Sequence, residues 1–324
     1  MAELTYRDAV TAALRQEMAR DPSVVLLGED VAAAGGVFKA TPGLLEAFGP
    51  ERVRDTPISE QAVIGLAMGA AMTGVRPVAE IMFSDFLATC WDLVANQVAK
   101  TRYMTNGQVS IPITIRTANG AGLRFGAQHS QSVENWAMAI PGLKVVVPST
   151  PADMLGLLAS AIRDPDPVLV FEHKALYPER GVVPDGEHTV PLGVARVVRP
   201  GTHATVVTTG LMVSRTEAAA EVLAAEGIDV AILDLRTLIP LDTAAILDSV
   251  RATGRLFTVE ENPRVLGWGA EIASIVAEEA IFDLEGPIVR ITAPHVPLAS
   301  SSMLEDAALP SVTRISDIIR RSLS

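Results

Sequence analysis

The sequence predicts an α/β protein of two domains, each with a mostly parallel sheet flanked by helices. Short apolar segments alternate with segments of helical periodicity along most of the 324 residues, the pattern of parallel strands joined by helices. A Pro- and Gly-rich stretch, 174–194, has no helical period and interrupts the alternation, which then resumes. We therefore expect a first domain at 1–180, a linker at 181–194 and a second domain at 195–324.

The first domain is expected to begin with a surface helix, because TYRDAVTAALRQEMARD carries apolar residues three and four apart. A later helix, ISEQAVIGLAMGAAMTG, is apolar on all sides, and Ser59 is its candidate N-cap. The other predicted elements of this domain, in chain order, are strands SVVLLGED and RPVAEIM, helix SDFLATCWDLVANQVAKTRYM, strands VSIPITIRT and LKVVVPS, helix TPADMLGLLASAIRD and strand DPVLVFEH.

The second domain repeats the alternation, so its sheet is also expected to be mostly parallel. Gly227 closes its first predicted helix. The predicted strands are HATVVTTG, IDVAILDLRTL, RLFTVEEN and GPIVRITAP, and the predicted helices are SRTEAAAEVLAAEG, DTAAILDSVRATG, GAEIASIVAEEAIFDL and SVTRISDIIRRSL.

Composition narrows the class of protein. A hydrophobic content of 49% with 20% charged residues suits a well-buried globular protein. The net charge of −12 disfavours nucleic acid and anionic membranes as partners. The longest apolar run, 62–75, is too short and Gly-rich to span a bilayer. Cys90 is the single cysteine, so no intrachain disulfide can form, and we expect a reducing, cytoplasmic location with Cys90 packed in the core.

His129 lies in the polar loop GAQHSQSVENW, where a side chain that titrates near neutral pH could act as an acid or base. The alternative is a loop histidine bonded to the backbone. Ser130 and Ser132 invite a hydrolase interpretation, but the G-x-S-x-G elbow of serine hydrolases is absent around them. The other histidines are scattered without the H-x-x-x-H spacing of metal ligands on a helix, which disfavours a histidine metal site.

The segment NGAGLRFG resembles a dinucleotide-binding loop, with Gly120, Gly122 and Gly126 spaced one residue too long. A helix should follow, and then a strand that ends in an acid, but a loop and VVVPST follow instead. NAD binding is therefore disfavoured, and these glycines are expected to serve a tight turn or a close backbone approach.

Acidic and aromatic side chains mark the ends of predicted strands. Glu60 opens the small-residue helix, where it either complements the helix dipole or acts as a buried acid with a raised pKa. Glu29 follows the first strand, where ligands collect in α/β sheets, with a solvated turn as its alternative. Met82, Phe83 and Phe86 close the next strand, where an aromatic ring either stacks on a planar ligand or packs in the core.

These segments, in this order, resemble the β subunits of thiamine-diphosphate-dependent 2-oxo acid dehydrogenases, which act on pyruvate, branched-chain 2-oxo acids or acetoin. The resemblance spans essentially the whole chain. Its markers are LLGEDV, RVRDTPISE, RPVAEIMFSDF, VAKTRYM, AQHSQS, IPGLKVVVPSTPADMLGLLASAIRDPDPV, FEHKALY, DLRTLIPLD and VEEN. The fold it implies is a transketolase-like pyrimidine-binding domain followed by a transketolase C-terminal-like domain.

The resemblance also implies roles for particular residues. Glu60 matches the glutamate that hydrogen-bonds the aminopyrimidine ring of thiamine diphosphate and so helps activate it. Phe86 matches the aromatic residue beside that ring, with Met82 and Glu29 nearby. His129 matches the histidine of the channel that admits the lipoyl arm, where a proton donor is needed. The resemblance thus implies that the loop around His129 delivers an acid or base to a cofactor held mainly by other elements.

The resemblance also implies a potassium-binding loop. Ile113, Ala161, Asp164 and Asp166 fall where family members place it. Family members often carry Asn at the last position, so Asp166 is a departure. The segment TAPHVPLASS departs as well, because it has no acid and aromatic where these are common.

The chain contains no GDG, the motif through which thiamine enzymes bind Mg²⁺ and the diphosphate. The resemblance therefore implies half a site. An α subunit would hold Mg²⁺ and the diphosphate in an α2β2 heterotetramer, which would transfer acyl groups to a lipoyl-bearing acyltransferase core. The small-residue helix, 62–74, is expected at that subunit interface, with a helix of the chain's own core as the alternative.

Two other functions stay open at this point. A split transketolase-like subunit shares the fold, but the AQHSQS loop favours a lipoyl-facing enzyme. A non-catalytic scaffold predicts loss of Glu60 or His129, and both are present. A simple NAD-dependent dehydrogenase is the least favoured, because the nicotinamide step in these complexes belongs to a separate flavoprotein.

Overall fold

The computed structural model describes residues 1–323 and contains two large sheets. The seven-stranded sheet has the order β12-β6-β7-β5-β4-β2-β3, and the five-stranded sheet has the order β14-β13-β10-β11-β9. The helices and strands of residues 1–183 are β1 Ala2–Thr5, α1 Tyr6–Arg20, β2 Val24–Gly28, α2 Leu44–Phe48, β3 Val53–Asp55, α3 Glu60–Met72, β4 Arg76–Phe83, α4 Leu87–Asp92, α5 Thr101–Met104, β5 Thr114–Asn119, α6 Glu134–Met138, β6 Lys144–Val146, α7 Pro151–Arg163, β7 Val168–His173 and β8 Arg180–Val183.

The second half of the chain contributes β9 Arg196–Arg199, β10 Ala204–Thr208, α8 Leu211–Ala224, β11 Val230–Asp234, β12 Thr237–Ile239, α9 Thr243–Thr253, β13 Leu256–Pro263, α10 Gly269–Glu279, β14 Val289–Ala293, α11 Ser302–Ala308 and α12 Val312–Leu323. Both large sheets are parallel except at one edge strand each, β12 and β9. The predicted fold class is confirmed.

The two halves share a core. Strand β12 leaves the second half and pairs with β6 of the first sheet through Thr237 and Ile239. One apolar cluster runs from Ile115 and Phe171 in the first sheet to Leu235 and Trp268 in the second half. Because such a core excludes water from both sides, relative motion of the two sheets would expose apolar surface.

The segment predicted as a linker, 181–194, is attached to the first half. Its first residues belong to β8, which pairs with β1 in an antiparallel two-stranded sheet. Val190 is buried, and its N–H donates to the Gly156 carbonyl oxygen of α7 at 3.0 Å. Neither β1 nor β8 was expected, because pairing across most of the first domain leaves no local pattern in the sequence.

The long helix expected at 84–104 is broken into several pieces. A 3₁₀ turn, Ser84–Phe86, precedes α4, the backbone at Cys90 is not helical, and a π-helical segment, Leu93–Val98, follows. The strand expected from VSIPITIRT begins only at Thr114, because Pro112 lacks the N–H that a central strand must donate. Cys90 is fully buried, as expected.

A charged group lies inside the first sheet. Arg116 of β5 forms two hydrogen bonds to Glu172 of β7, at 2.7 and 2.8 Å, and also binds Glu80 of β4. The Tyr177 hydroxyl donates to Glu172 at 2.9 Å. Charged residues inside three otherwise apolar strands were the sequence signal for this network.

Among residues 1–323, no helix is long and apolar enough to cross a membrane.

Candidate active site

The carboxyl ends of the parallel strands in the first sheet meet at one edge. Four neighbouring strands end there at Gly28, Phe83, Asn119 and His173. This edge is where open α/β sheets bind ligands, because loops rather than strands follow and leave room for one. The predicted residues Glu29, Met82 and Phe86 belong to it or follow it directly.

An aromatic cluster covers this edge, and it contains the predicted His129. The ring of Phe83 is central: its centroid lies 4.7 Å from that of His129 and 5.5 Å from that of Phe86. Phe38 and Phe125 pack on the same ring at 5.4 and 5.8 Å. The rings of Phe86 and His129 also meet edge to face, 5.2 Å apart. The structure therefore brings together two residues that lie 43 positions apart in sequence.

Glu60 is linked to this cluster by a threonine that sequence reasoning missed. Glu60 is half-buried at the first position of α3. The Thr89 hydroxyl lies 2.8 Å from the Phe86 carbonyl oxygen and 3.1 Å from Oε2 of Glu60. Ser59 occupies the N-cap position with extended backbone, but its side chain makes no capping hydrogen bond. Thr89 thus connects the carboxylate with the residue beside the aromatic cluster.

The charge of Glu60 acts on two neighbouring titratable groups. Burial raises the pKa of Glu29, and the charges of Glu60 and Asp30 raise it further. Burial, together with the charge of Glu60, raises the pKa of the Cys90 thiol to about 12, which keeps the thiol protonated and inert. Met82 is half-buried as the next-to-last residue of β4.

The glycines near His129 serve the backbone, as expected. Gly120, Gly122 and Gly126 all have positive φ, between +76° and +97°. A Cβ on Gly120 would overlap the ring of His173, which packs directly on that glycine. No helix starts after this turn as a dinucleotide loop requires, since α6 begins only at Glu134.

The serines beside His129 are not arranged as nucleophiles. Ser132 Oγ donates to Glu261 at 3.1 Å. The hydroxyl of Ser130 is buried without a hydrogen-bond partner within residues 1–323. A Ser–His pair of the hydrolase kind is therefore not formed at this loop.

A buried histidine–glutamate pair joins the two halves beside the loop. His173 Nε2 lies 2.9 Å from Oε2 of Glu261, a residue of β13. Burial raises the pKa of Glu261, but the charge of His173 and its hydrogen bond lower it more, to about 2. Nearby, burial raises the pKa of Glu134 to about 7. His173 is the last residue of β7, whereas Glu261 lies within β13, so no local pattern in the sequence indicated the pair.

The two aspartates predicted to bind potassium are already in contact with cationic side chains. Lys144 Nζ donates to both carboxylate oxygens of Asp164 at 2.7 Å and lies 3.5 Å from Asp166. Arg102 binds Asp166 as well. The carbonyl oxygens of the buried Ala161 and Ile113 accept backbone hydrogen bonds, from Asp164 and Val168 respectively. A potassium ion would have to compete with the Lys144 ammonium, so binding at Ile113, Ala161, Asp164 and Asp166 stays a prediction on which no step depends.

The residues at the sheet edge fit one half of thiamine diphosphate. Aromatic rings and a half-buried carboxylate suit a planar aminopyrimidine, which is apolar on its faces and basic at its edge. Within residues 1–323, no three His, Cys, Asp or Glu side chains are grouped so as to hold a metal ion.

Comparisons with known proteins match the two halves of the chain to two known domains. Residues 2–180 match the transketolase pyrimidine-binding domain, and residues 193–315 match the transketolase C-terminal domain. The β subunit of acetoin:2,6-dichlorophenolindophenol oxidoreductase from Cupriavidus necator is 46% identical over 99% of this chain and 98% of its own. The β subunit of 2-oxoisovalerate dehydrogenase from Bacillus subtilis is 46% identical over 92% and 91%.

A solved structure shares the fold. A split-gene transketolase, solved as an inactive β4 tetramer, superposes with a TM-score of 0.78 at 24% identity, over 99% of this chain and 98% of that one. Further relatives, at 43–44% identity, are β subunits of pyruvate dehydrogenase E1 components. The chain belongs to the family of β subunits of acetoin, branched-chain 2-oxo acid and pyruvate dehydrogenases, built from transketolase pyrimidine-binding and C-terminal domains.

Proposed function

We propose that this chain supplies the pyrimidine half of the active site of a thiamine-diphosphate-dependent 2-oxo acid or acetoin dehydrogenase. One observation carries the proposal. Glu60, Phe86 and His129 are joined in one arrangement, in which Thr89 bridges the first two and ring contact joins the last two. A carboxylate, an aromatic wall and an imidazole are the groups that this chemistry needs from the chain.

Each residue then has a task. Glu60 would share a proton with the ring nitrogen of the aminopyrimidine, and Glu29, whose pKa is raised by burial and by the charge of Glu60, follows a strand that ends at the same edge of the sheet. Phe86 and Phe83 would exclude water from the ring. His129 would donate or accept the proton when the acyl group passes to a lipoyl arm of an acyltransferase core. Thiamine diphosphate, when bound, supplies the electron sink for decarboxylation.

The partner proposed for this chain is an α subunit that holds the diphosphate and Mg²⁺ in an α2β2 heterotetramer. Helix α3 supports it, because one face packs in the core through Val63 and Ala67 while the opposite face is exposed and apolar. Leu66 and Met72 are 57% and 47% exposed on that face. A Cβ on Gly69 would meet open space, so nothing within this chain requires a glycine there. Close approach of another chain would require one.

The runner-up is a split transketolase-like subunit, favoured by the structural likeness to a split-gene transketolase. That likeness, at 24% identity, supports the fold, whereas the relatives at 46% identity are dehydrogenase subunits. A lipoyl-facing histidine separates the two functions, because transketolase chemistry transfers carbon units between sugars without a lipoyl acceptor.

Reconstitution tests the proposal. The chain is expressed alone and with its candidate α subunit, and each preparation receives thiamine diphosphate and Mg²⁺. Pyruvate, 2-oxoisovalerate and acetoin are then assayed with a dye acceptor, and ketose transfer is assayed in parallel. We expect dye reduction only in the mixture. Activity of the chain alone would contradict the half-site, and ketose transfer in place of dye reduction would favour the runner-up.

A further inference from the structure

Lys174 is a buried ammonium that the proposed chemistry does not use. It follows β7 directly and is only 1% exposed. Its Nζ has no hydrogen-bond partner within residues 1–323 and lies 5.3 Å from the centroid of the Phe83 ring. Phe83 is the ring on which His129 packs. A buried cation with a single aromatic contact is costly, so charges nearby must compensate it.

The charges of three buried carboxylates act on this cation, and together with it they are called the Lys174 cluster. They are Asp85 after β4, Glu261 in β13 and Glu305 in α11. Burial lowers the pKa of Lys174 to about 8, and the charges of these three acids oppose that effect. Each acid retains one buried oxygen with no hydrogen-bond partner among the described residues. The acids with the unpaired oxygens come from both halves of the chain, and their charges act on the unpaired ammonium.

Two of the three carboxylates anchor the end of the His129 loop, defined as residues 120–132. Asp85 Oδ1 accepts hydrogen bonds from Gln131, at 2.8 Å from the side-chain amide and 3.3 Å from the backbone N–H. Glu261 Oε2 accepts one from Ser132 at 3.1 Å. His129 therefore lies only two residues before the first of these anchors.

The third carboxylate anchors the beginning of the same loop. Arg124 binds Glu305, which is fully buried, and donates to Asp306 at 2.8 Å. Arg124 itself has a positive φ of 65°, a conformation that a non-glycine residue keeps only when its surroundings hold it. His129 is thus suspended between anchors on both sides, and a carboxylate of the Lys174 cluster forms each one.

We propose that Lys174 is a positioning residue for His129, because its positive charge balances the three anchoring carboxylates and so holds them in place around the loop. This inference rests on the catalytic role proposed for His129. The order of the loop can nevertheless be measured without any reference to activity, so the two ideas can fail separately.

The proposal predicts a loop that loosens in mild alkali. The charged and titratable groups facing Lys174 are the three acids of the cluster, together with Arg124 bound to Glu305 and His173 bound to Glu261. Above pH 8 Lys174 loses its charge, since its pKa lies near 8 in the folded chain against an ordinary value of 10.5. Between those values the unfolded chain binds more protons, so the contribution of Lys174 to global stability rises with pH. A rise in pH would therefore loosen the loop while the contribution of Lys174 to global stability increases.

Hydrogen exchange of the peptide 120–132 in the reconstituted complex is the test. Lys174→Met removes the charge at nearly constant volume, and Lys174→Arg keeps it. Lys100→Met is the matched control, since Lys100 binds the Pro141 carbonyl oxygen instead. We expect about tenfold faster exchange in Lys174→Met, equal to about 1.4 kcal/mol of local opening, and changes under twofold in the other two. After correction for intrinsic rates, wild-type exchange should accelerate between pH 7 and 9, and that of Lys174→Met should not.

Equal exchange in wild type and Lys174→Met would overturn the proposal, whatever the activities are. Should Lys174→Met fail to assemble, Glu305→Gln weakens one anchor and leaves Lys174 in place, and faster exchange near Arg124 is then expected. Acylation of a free lipoyl domain is measured beside dye reduction. Lys174→Met should lower the first more than the second. Faster exchange with unchanged acylation would contradict the role of His129, while the anchoring by Lys174 would stand.

Discussion

The two sides of the candidate site differ in how completely this chain builds them. The His129 side is anchored within this chain, because its loop is bound by acids from both halves of the chain and the His129 ring packs on Phe83 and Phe86. The Glu60 side is open. Glu60 is half-buried, its one side-chain partner shown by the structure is Thr89, and the exposed apolar face of α3 begins beside it. Under the proposed function, the α subunit would complete the Glu60 side.

Glu60→Gln tests the open side and should have the largest effect. Glutamine keeps the volume and the hydrogen bond from Thr89 but cannot share a proton. General acid–base groups contribute roughly 10²–10⁴-fold, so we expect turnover with every substrate to fall by about 10³-fold or more, measured as dye reduction by the reconstituted complex.

The control for Glu60→Gln is assembly, followed by analytical ultracentrifugation with the α subunit. Assembly should be unchanged, because the substitution removes no apolar surface. Turnover within a few-fold of wild type would contradict the assignment of Glu60. Loss of assembly would instead give Glu60 a structural role at the interface.

His129→Ala tests the His129 side, and its effect should depend on whether the acceptor is a lipoyl domain or a dye. Because the loop is anchored elsewhere, its backbone should stay in place when the ring is removed. We expect acylation of a lipoyl domain to fall about 10²-fold, which is within the range for one general acid or base. Dye-linked turnover should fall by less than about tenfold. His295→Ala, at an exposed position in the second half, is the matched control.

Equal losses in both assays would assign His129 to a step before acyl transfer. No loss in either assay would remove it from the site and leave the backbone-bound loop histidine as its interpretation.

The sequence predicted the residues of the site better than the contacts that hold the His129 loop. Glu60 was singled out at the start of the small-residue helix, Phe86 at the end of a predicted strand and His129 in a polar loop, and the resemblance implied one cofactor for all three. Lys174 was assigned to the start of a Pro- and Gly-rich stretch, whereas the structure buries it. Two of the acids whose charges act on it lie far away in sequence, in β13 and α11. No local period reports such a contact, and the same holds for β12, which crosses into the first sheet.

Leu66→Glu tests whether the exposed face of α3 is the contact with the α subunit, and its effect should be the smallest. Burying a carboxylate in an apolar interface should weaken association by about 2 kcal/mol, or roughly 30-fold in Kd. The isolated chain should keep its melting temperature, because Leu66 is 57% exposed. Val222→Glu, at a 43% exposed valine of α8, is the matched control.

Association is measured by titrating labelled α subunit into each variant. If Leu66→Glu weakens self-association of this chain but not its binding to the α subunit, the face belongs to contacts between copies of this chain. If neither changes, the open side of the site is completed through another surface. A selective loss of α binding would mean that the same helix that presents Glu60 also carries the contact with the partner. The carboxylate would then be placed against its cofactor by the act of assembly.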